Sequence, residues 1–163
     1  MKKMSEQSCR LKKWLKENDV TSDFLYFDNN VHTVEQAVKE SGHPVERFTK
    51  SIVLLSSERI ERSVIIAMVP ADNRVSTERV RKALQLEERP VIANEVESLE
   101  YLNQNLGGNS PLNAKKATVL IDPEVFTKDW ILTGGGDDRS LVRISTDELK
   151  RVVDFTVERV RKY

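Results

Sequence analysis

The sequence is poor in cysteine, in net charge and in long apolar runs. Its single cysteine, Cys9, excludes an internal disulfide and a zinc site built from several cysteines, and it fits a reducing cytosol. Lysine plus arginine and aspartate plus glutamate number 26 each, so no global field attracts nucleic acid or a membrane surface. No apolar run approaches the length of a membrane span, and a charged segment follows Met1 where a signal peptide would be apolar. We therefore expect a cytoplasmic protein with no membrane and no DNA partner.

The rest of the composition is that of one globular domain. Charged residues make up 32% of the chain and hydrophobic residues 39%, which suits a folded protein better than a disordered one. A chain of 163 residues can bury about two-thirds of the surface that it exposes when unfolded. No internal repeat or low-complexity linker divides the sequence, so we predict a single domain over residues 1–163.

Hydrophobic periodicity predicts five helices and about seven strands. The first four helices are expected at residues 5–18, 33–42, 77–84 and 94–102. The last begins after Ser145 and carries one apolar face, made of Leu149, Val152, Val153, Val157 and Val160. Strands are expected at residues 24–27, 51–55, 63–69, 91–93, 118–121, 130–133 and 140–144.

Capping boxes are expected at Thr33, Asn94 and Ser145, and a polar turn at residues 56–62 indicates a hairpin. Strands joined both by helices and by hairpins predict an α/β fold with a mixed sheet.

The first helix carries the most basic stretch of the chain. Its cations are Lys2, Lys3, Arg10, Lys12, Lys13 and Lys16. Such a run is usually a solvated helix face, and the alternative is a surface that contacts phosphates.

The loop Leu106-Gly107-Gly108-Asn109-Ser110-Pro111-Leu112 has the composition of a ligand-binding segment. Two adjacent glycines leave the backbone bare, and Pro111 keeps Ser110 out of the helical region. Such a loop can present N–H groups to a carbonyl or a phosphate. The other interpretation is a tight turn without a ligand.

Two further segments carry candidate chemistry. Lys50 stands at the start of an apolar strand, where it either reaches into water or directs a cation into a cleft. Gly134-Gly135-Gly136 precedes a strand, so it fails the dinucleotide fingerprint. It is either a hairpin turn or a second wall of the same cleft, with Asp137 available to an amine or a hydroxyl.

Other reactive side chains lack the neighbours that would make a site. We interpret His32 and His43 as ordinary surface histidines, because no carboxylate is spaced to form a metal site with them. Cys9 has no histidine beside it, so a nucleophilic role is not expected. No metal or cofactor is predicted.

Together these segments resemble the YbaK/ProX-like aminoacyl-tRNA deacylases, which include free-standing editing proteins and the editing domain inserted in prolyl-tRNA synthetases. The similarity runs in order over about residues 22–155. The matching segments are Thr33-Val34-Glu35-Gln36-Ala37, Lys50-Ser51-Ile52-Val53, Val69-Pro70-Ala71-Asp72-Asn73, Gly107-Gly108-Asn109-Ser110-Pro111-Leu112 and Gly134-Gly135-Gly136.

The resemblance implies a compact, barrel-like mixed sheet with surrounding helices, and hydrolysis of the ester that joins a wrong amino acid to the terminal adenosine of tRNA. Lys50 would hold the terminal nucleotide or the ester carbonyl, beside Ser51. The amides of Gly107 and Gly108, with Asn109, Ser110 and Pro111, would form the amino-acid pocket. Gly134, Gly135, Gly136 and Asp137 would stand opposite. Ala71 and Asn113 stand where the family usually has glycine, and the identity of the amino acid stays open.

Two other functions fit the same residues. The first is a non-catalytic module of this fold that binds tRNA or an aminoacyl-tRNA synthetase. The second is hydrolysis of another small ester or nucleotide conjugate. Because an aminoacyl ester is already activated, a deacylase needs only fixed N–H donors and water, and no Ser-His-Asp set is evident in the sequence.

Overall fold

The structure, a computed structural model, describes residues 3–57 and 62–163. Its α-helices are α1 (Glu6–Glu17), α2 (Val34–Ser41), α3 (Thr77–Leu84), α4 (Glu95–Leu102) and α5 (Thr146–Val152). Its strands are β1 (Ser22–Tyr26), β2 (Thr49–Leu55), β3 (Val64–Pro70), β4 (Val91–Ile92), β5 (Thr118–Ile121), β6 (Trp130–Gly134), β7 (Ser140–Ser145) and β8 (Thr156–Val157). Two short 3-10 helices, Val45–Arg47 and Pro123–Thr127, precede β2 and β6. None of the described helices is long and apolar enough to cross a membrane.

The helix starts follow from their capping residues. Thr33 and Asn94 each form a complete capping box, as predicted. Ser145 caps α5 by accepting a hydrogen bond from the backbone N–H of Glu148 at 3.0 Å. The second half of the box predicted there does not form, because the Glu148 carboxylate accepts from the amide of Thr21 and pairs with Arg151 instead.

The strands form two sheets. One has the order β1-β7-β6 and is antiparallel. The other has the order β4-β2-β3-β5-β8 and is mixed, since β2 runs antiparallel to β3 and β4 while β5 runs parallel to β3 and β8. The mixed α/β architecture is confirmed, as is the β2–β3 hairpin. Residues 58–61 of its predicted turn, and Met1 and Lys2 of the predicted basic segment, lie outside the described residues.

The expectation of a barrel-like sheet is wrong, because the sheets do not close on each other within the described residues. In the described residues, the ladder pairing between them is limited to one isolated parallel bridge, between Phe48 and Leu132. The Thr49 hydroxyl adds a hydrogen bond of 2.8 Å to the Leu132 carbonyl. A closed barrel requires a continuous hydrogen-bonded ladder at this position.

The main core lies between the two sheets. Val53, Ile66 and Ile121 of the mixed sheet meet Ile131 and Ile144 of the antiparallel sheet there. A second apolar layer covers the opposite face of the mixed sheet, where Leu54 and Leu120 pack with Val80 of α3 and with Val160. Because both faces of β2 and β3 are covered, their sequences are continuous apolar runs rather than alternating ones.

The final helix is shorter than predicted. It ends at Val152, and Val153 has extended backbone angles, φ −120° and ψ 131°. The chain then forms β8 beside β5, so Val157, which is 48% exposed, does not extend a buried helical stripe. Val153 and Val160 are nevertheless buried. These two valines of the predicted apolar face are thus buried from the extended segment after the helix and not from the helix itself.

Candidate functional site

A cleft of about 400 Å³ opens along one edge of β2. Phe48 contacts the antiparallel sheet just before this strand, and Leu54 and Leu55 pair with β4 near its end. The carbonyl of Val53 accepts from the Ala93 amide at 2.9 Å on this edge. Since alternate residues of a strand direct their backbone groups to the same edge, the backbone of Ser51 faces the gap between the two contacts.

Lys50 lines the cleft from β2. Its side chain makes no hydrogen bond or salt bridge with the residues that the structure describes. Burial, and then the positive charge of Arg74, lower the pKa of Lys50, and Asp72 opposes this in part. The ammonium is therefore partly desolvated without a bonded carboxylate, and an anionic or carbonyl ligand would relieve that state.

Gly107, in the loop between α4 and β5, also lines the cleft. Its φ is +86°, and a Cβ there would fall 2.1 Å from Nδ1 of His32, so any other residue would strain the backbone and displace the ring. The Gly107 amide donates to no acceptor among the described residues. The Gly108 amide is used inside the loop, where it donates to the carbonyl of Asn105 at 3.1 Å. Of the two glycine amides, that of Gly107 is the one without a partner among the described residues.

A buried network of polar side chains fixes this loop. The Gln104 amide group is central to it: Nε2 donates to the Ser110 carbonyl at 3.1 Å, and Oε1 accepts from the Ser110 amide at 3.0 Å. Asn109 Nδ2 donates to Ser98 Oγ at 2.9 Å. The Ser110 hydroxyl accepts from the Leu112 amide at 3.1 Å. A loop with its buried polar groups paired in this way is rigid.

The glycine turn after β6 packs directly on the loop. A Cβ at Gly134 would lie 2.4 Å from the Gly108 carbonyl oxygen. The Gly136 amide donates to that same oxygen at 2.8 Å, and the Gly136 carbonyl accepts from Asn105 at 2.9 Å. Two glycine-rich segments thus touch backbone to backbone, and they form one continuous wall.

Asp137 stands behind this wall. Its buried carboxylate accepts hydrogen bonds from the hydroxyls of Ser5 and Ser140 and, at 3.0 Å, from the Arg139 amide. Burial raises the pKa of Asp137, but these hydrogen bonds outweigh it and hold the pKa below its ordinary value. Ser5 is also the N-cap of α1, so the carboxylate joins that helix to the glycine turn.

Comparison with protein families settles the relationship of the chain. The model of the aminoacyl-tRNA editing domain matches residues 28–152. The chain belongs to this family. None of the curated proteins matches the sequence significantly.

Solved structures share the fold of this editing domain at low sequence identity. A proposed trans-editing enzyme for prolyl-tRNA synthetase is 17% identical, with a TM-score of 0.85 over 99% of this chain and 100% of the other. A hypothetical protein is 19% identical, with a TM-score of 0.82 over 94% and 99% of the two chains. A scaffold used to present grafted epitopes is 15% identical, with a TM-score of 0.84 over 98% and 99%.

The editing domain brings together part of the predicted site. The predicted residues that line the cleft are Lys50, Ser51, Gly107, Asn109 and Gly134. Those that lie outside its lining and support it are Gly108, Ser110, Pro111, Gly135, Gly136 and Asp137. Their roles toward a substrate stay predictions. Segments more than fifty residues apart in sequence nevertheless meet at one cavity.

Sequence reasoning missed several residues of the cleft. His32, interpreted as an ordinary surface histidine, is exposed but lines the cleft against Gly107. Thr133 lines it from β6, and Gln104 organises the loop from behind. Only the place of Thr133, directly before the glycine turn, could have indicated it. In the described part of the chain, no group of three or more His, Cys, Asp or Glu side chains is arranged to hold a metal ion.

Proposed function

We propose that this editing domain hydrolyses the ester bond of a mischarged aminoacyl-tRNA. The observation that carries the proposal is the convergence of Lys50 and Gly107 on one cleft. An ammonium and a backbone N–H are the donors that bind a nucleotide phosphate and a developing oxyanion. The apolar walls that stand between them would exclude bulk water around the reacting carbonyl.

The reaction would proceed by direct attack of water. Water adds to the ester carbonyl, the negative charge that develops on oxygen is stabilised by the N–H of Gly107 and by Lys50, and the bond to the ribose oxygen breaks. The products are the free amino acid and the terminal ribose hydroxyl, which takes up the proton. The vicinal ribose hydroxyl or a group of the amino acid would assist the proton transfer.

A covalent serine mechanism has little support in this geometry. Ser51 Oγ has no hydrogen-bond partner among the described residues, so no general base activates it. The catalytic contribution would come from positioning and from fixed charges. An ester as activated as this one allows that.

The test is release of labelled amino acid from mischarged tRNA. We expect Lys50→Met to lower the rate on the order of 100-fold to 1,000-fold, as loss of one oxyanion-stabilising group does. The matched control is Lys82→Met, which removes an exposed cation on α3 and should leave the rate unchanged. Equal rates for Lys50→Met and wild type would remove Lys50 from the mechanism. Failure to release any amino acid from any mischarged tRNA would exclude a deacylase.

A non-catalytic module that binds tRNA or a synthetase is the second candidate. It is favoured by the lack of a hydrogen-bonded nucleophile and base among the described residues of the cleft. This module would bind tRNA with an affinity that falls as salt rises, and it would release no amino acid.

A further inference from the structure

Two hydroxyl groups in the cleft are buried without a partner. Four buried side-chain polar atoms lack a hydrogen bond within the described residues, and two of them, Ser51 Oγ and Thr133 Oγ1, belong to residues that line the cleft. Ser51 is 8% exposed and Thr133 is 1% exposed. Buried hydroxyls of native proteins are nearly always paired, so two orphans at one cavity need an explanation.

Two nearby hydroxyls, one on β2 and one on β7, the neighbour of β6, are paired. Thr49 of β2 donates to a backbone carbonyl at 2.8 Å, and Ser140 of β7 donates to Asp137 at 2.7 Å. The fold is therefore able to satisfy serine and threonine in this region. Thr49 also lines the cleft but already has a partner, whereas Ser51 and Thr133 line it without one, so a ligand could supply the missing partner.

The two residues come from different sheets, and each adjoins another residue that lines the cleft. Ser51 follows Lys50 on β2, and Thr133 precedes Gly134 on β6. Most of the exposed surface inside the cleft is apolar, with Val53 and Phe48 among the lining residues. A rotation about χ1, which has three staggered wells, can turn a serine hydroxyl toward a ligand.

We propose that Ser51 and Thr133 select amino acids with a side-chain hydroxyl, serine and threonine, over alanine. This selection rests on the proposed deacylase function and names its substrate class. A ligand hydroxyl both donates and accepts, so it can pair with both protein hydroxyls. A methyl group at the same place offers them no partner, so an alanyl ester gains no hydrogen bond from the two hydroxyls, whereas a seryl or threonyl ester does.

The experiment compares one tRNA body charged in turn with alanine, serine and threonine. In single-turnover deacylation we expect the seryl and threonyl esters to be cleaved on the order of 10-fold to 100-fold faster than the alanyl ester. Thr133→Val keeps the side-chain shape and removes the hydroxyl, and Ser51→Ala removes the other. Each should bring the serine-to-alanine ratio toward one. Thr127→Val, at an exposed threonine in the 3-10 helix before β6, should leave the ratio unchanged.

Two outcomes overturn the selection while leaving the deacylase function intact. One is an alanyl ester cleaved as fast as the seryl ester by wild type. The other is an equal decrease in the cleavage rate of all three esters in Thr133→Val and Ser51→Ala. That result would mean that the two hydroxyls contact a group that every aminoacyl ester shares. Failure to cleave any ester contradicts the deacylase function instead. In that case, binding of non-hydrolysable analogues tests the selection. Wild type should bind 3′-serylamino-3′-deoxyadenosine more tightly than its alanyl counterpart, and equal affinities would overturn the selection.

Thermal unfolding gives a readout that does not depend on activity. Because Thr133 Oγ1 has no partner in the described residues, Thr133→Val should melt at the same temperature as wild type or higher. A clearly lower melting temperature would mean that the fold itself uses this hydroxyl, and it would overturn the proposal.

Discussion

The imidazole ring of His32 occupies the space in which a residue other than glycine at position 107 would place its Cβ. That Cβ would lie 2.1 Å from Nδ1 of His32, and the backbone of Gly107 has a φ of +86°. Gly107→Ala therefore has to displace the ring and also strain the backbone. We expect the free energy of unfolding to fall by more than the roughly 1–2 kcal/mol of a left-handed non-glycine residue. Deacylation should fall about 100-fold, as for a 1 Å misplacement in an active site.

Gly42→Ala is the matched control for this substitution. Gly42 ends α2 with a φ of +74°, and a Cβ there would meet nothing within 4 Å. In urea denaturation, the decrease in unfolding free energy for Gly42→Ala should come from backbone strain alone. The deacylation rate of this variant should equal that of wild type. Adding His32→Ala to Gly107→Ala should recover the part of the loss that comes from the collision. Identical losses at the two glycines would show that the ring moves aside without cost.

Lys50 should give the deacylation rate a characteristic dependence on pH. Burial, and then Arg74, hold the pKa of Lys50 below that of an ordinary lysine, with Asp72 acting in the opposite direction. If the charged ammonium stabilises the transition state, the enzyme-dependent rate falls as pH rises through that lowered pKa. Lys50→Arg keeps its charge at alkaline pH, so its profile should stay flat there. The measurement subtracts the hydrolysis of the same aminoacyl-tRNA without enzyme.

The same residue should lower the stability of the folded state. A lysine whose pKa is lower in the folded than in the unfolded chain binds more protons when unfolded, so its unfavourable contribution is largest below the folded pKa and fades as pH rises. Lys50→Met should therefore resist urea better than wild type at neutral pH, with a smaller difference at alkaline pH. Exposed Lys82, changed to Met, should show no such trend. If Lys50 is a functional cation that is partly desolvated in the free protein, Lys50→Met should be more stable and less active than wild type.

The parts of the fold that could be predicted from sequence are those with local causes. Capping residues at Thr33 and Asn94 fix where two helices start, because the cap bonds join residues three apart. The sequence indicates a shared site for Lys50 and Gly107 only through the family resemblance, since nothing local links positions so far apart in the chain. Both residues line one cleft, and their roles toward a substrate stay predictions.

The parts of the fold that could not be predicted depend on contacts between residues far apart in sequence, which override local preferences. Leu149, Val152 and Val153 fit one face of a helix, yet the chain leaves the helix there because β5 offers an edge to β8 and Asp122 binds the tail. Helix propensity is low for valine, so tertiary partners decide the outcome. In the same way, His32 became a cleft residue only through the position of Gly107, which its own sequence neighbours do not show.

Asp137 should be needed more for stability at neutral pH than at acid pH. Its carboxylate accepts from Ser5, Ser140 and the Arg139 amide, and these hydrogen bonds outweigh burial and hold its pKa below the ordinary value of about 3.9. The stability it contributes is complete above pH 4 and disappears as pH falls through the folded pKa. Asp137→Asn should lose about 1–3 kcal/mol of unfolding free energy at pH 7, and the gap to wild type should narrow below pH 4.

The control for Asp137 is its neighbour. Asp138 is half-buried, and its side chain makes no hydrogen bond with the described residues, so Asp138→Asn should change stability little at either pH. Urea titrations at pH 7 and pH 3.5 measure both variants. A constant gap between Asp137→Asn and wild type across this range would contradict an ionised carboxylate as the source of the stability.

Asp122 should hold the C-terminal tail on the mixed sheet. Its fully buried carboxylate accepts from Nη1 of Arg161 at 2.6 Å and from the amides of Val160 and Arg161 at 3.0 and 3.1 Å. The carboxylate also accepts from the Glu124 amide at 3.0 Å, so Asp122→Ala leaves a largely buried cation and three amides without their acceptor and should cost about 3–5 kcal/mol. Glu124→Ala removes a half-exposed carboxylate 3.8 Å from the same guanidinium and should cost at most about 1 kcal/mol. Limited proteolysis read by mass spectrometry should show early cleavage after residue 153 in Asp122→Ala alone, and equal protection of both variants would mean that β8 and Val160 hold the tail without the carboxylate.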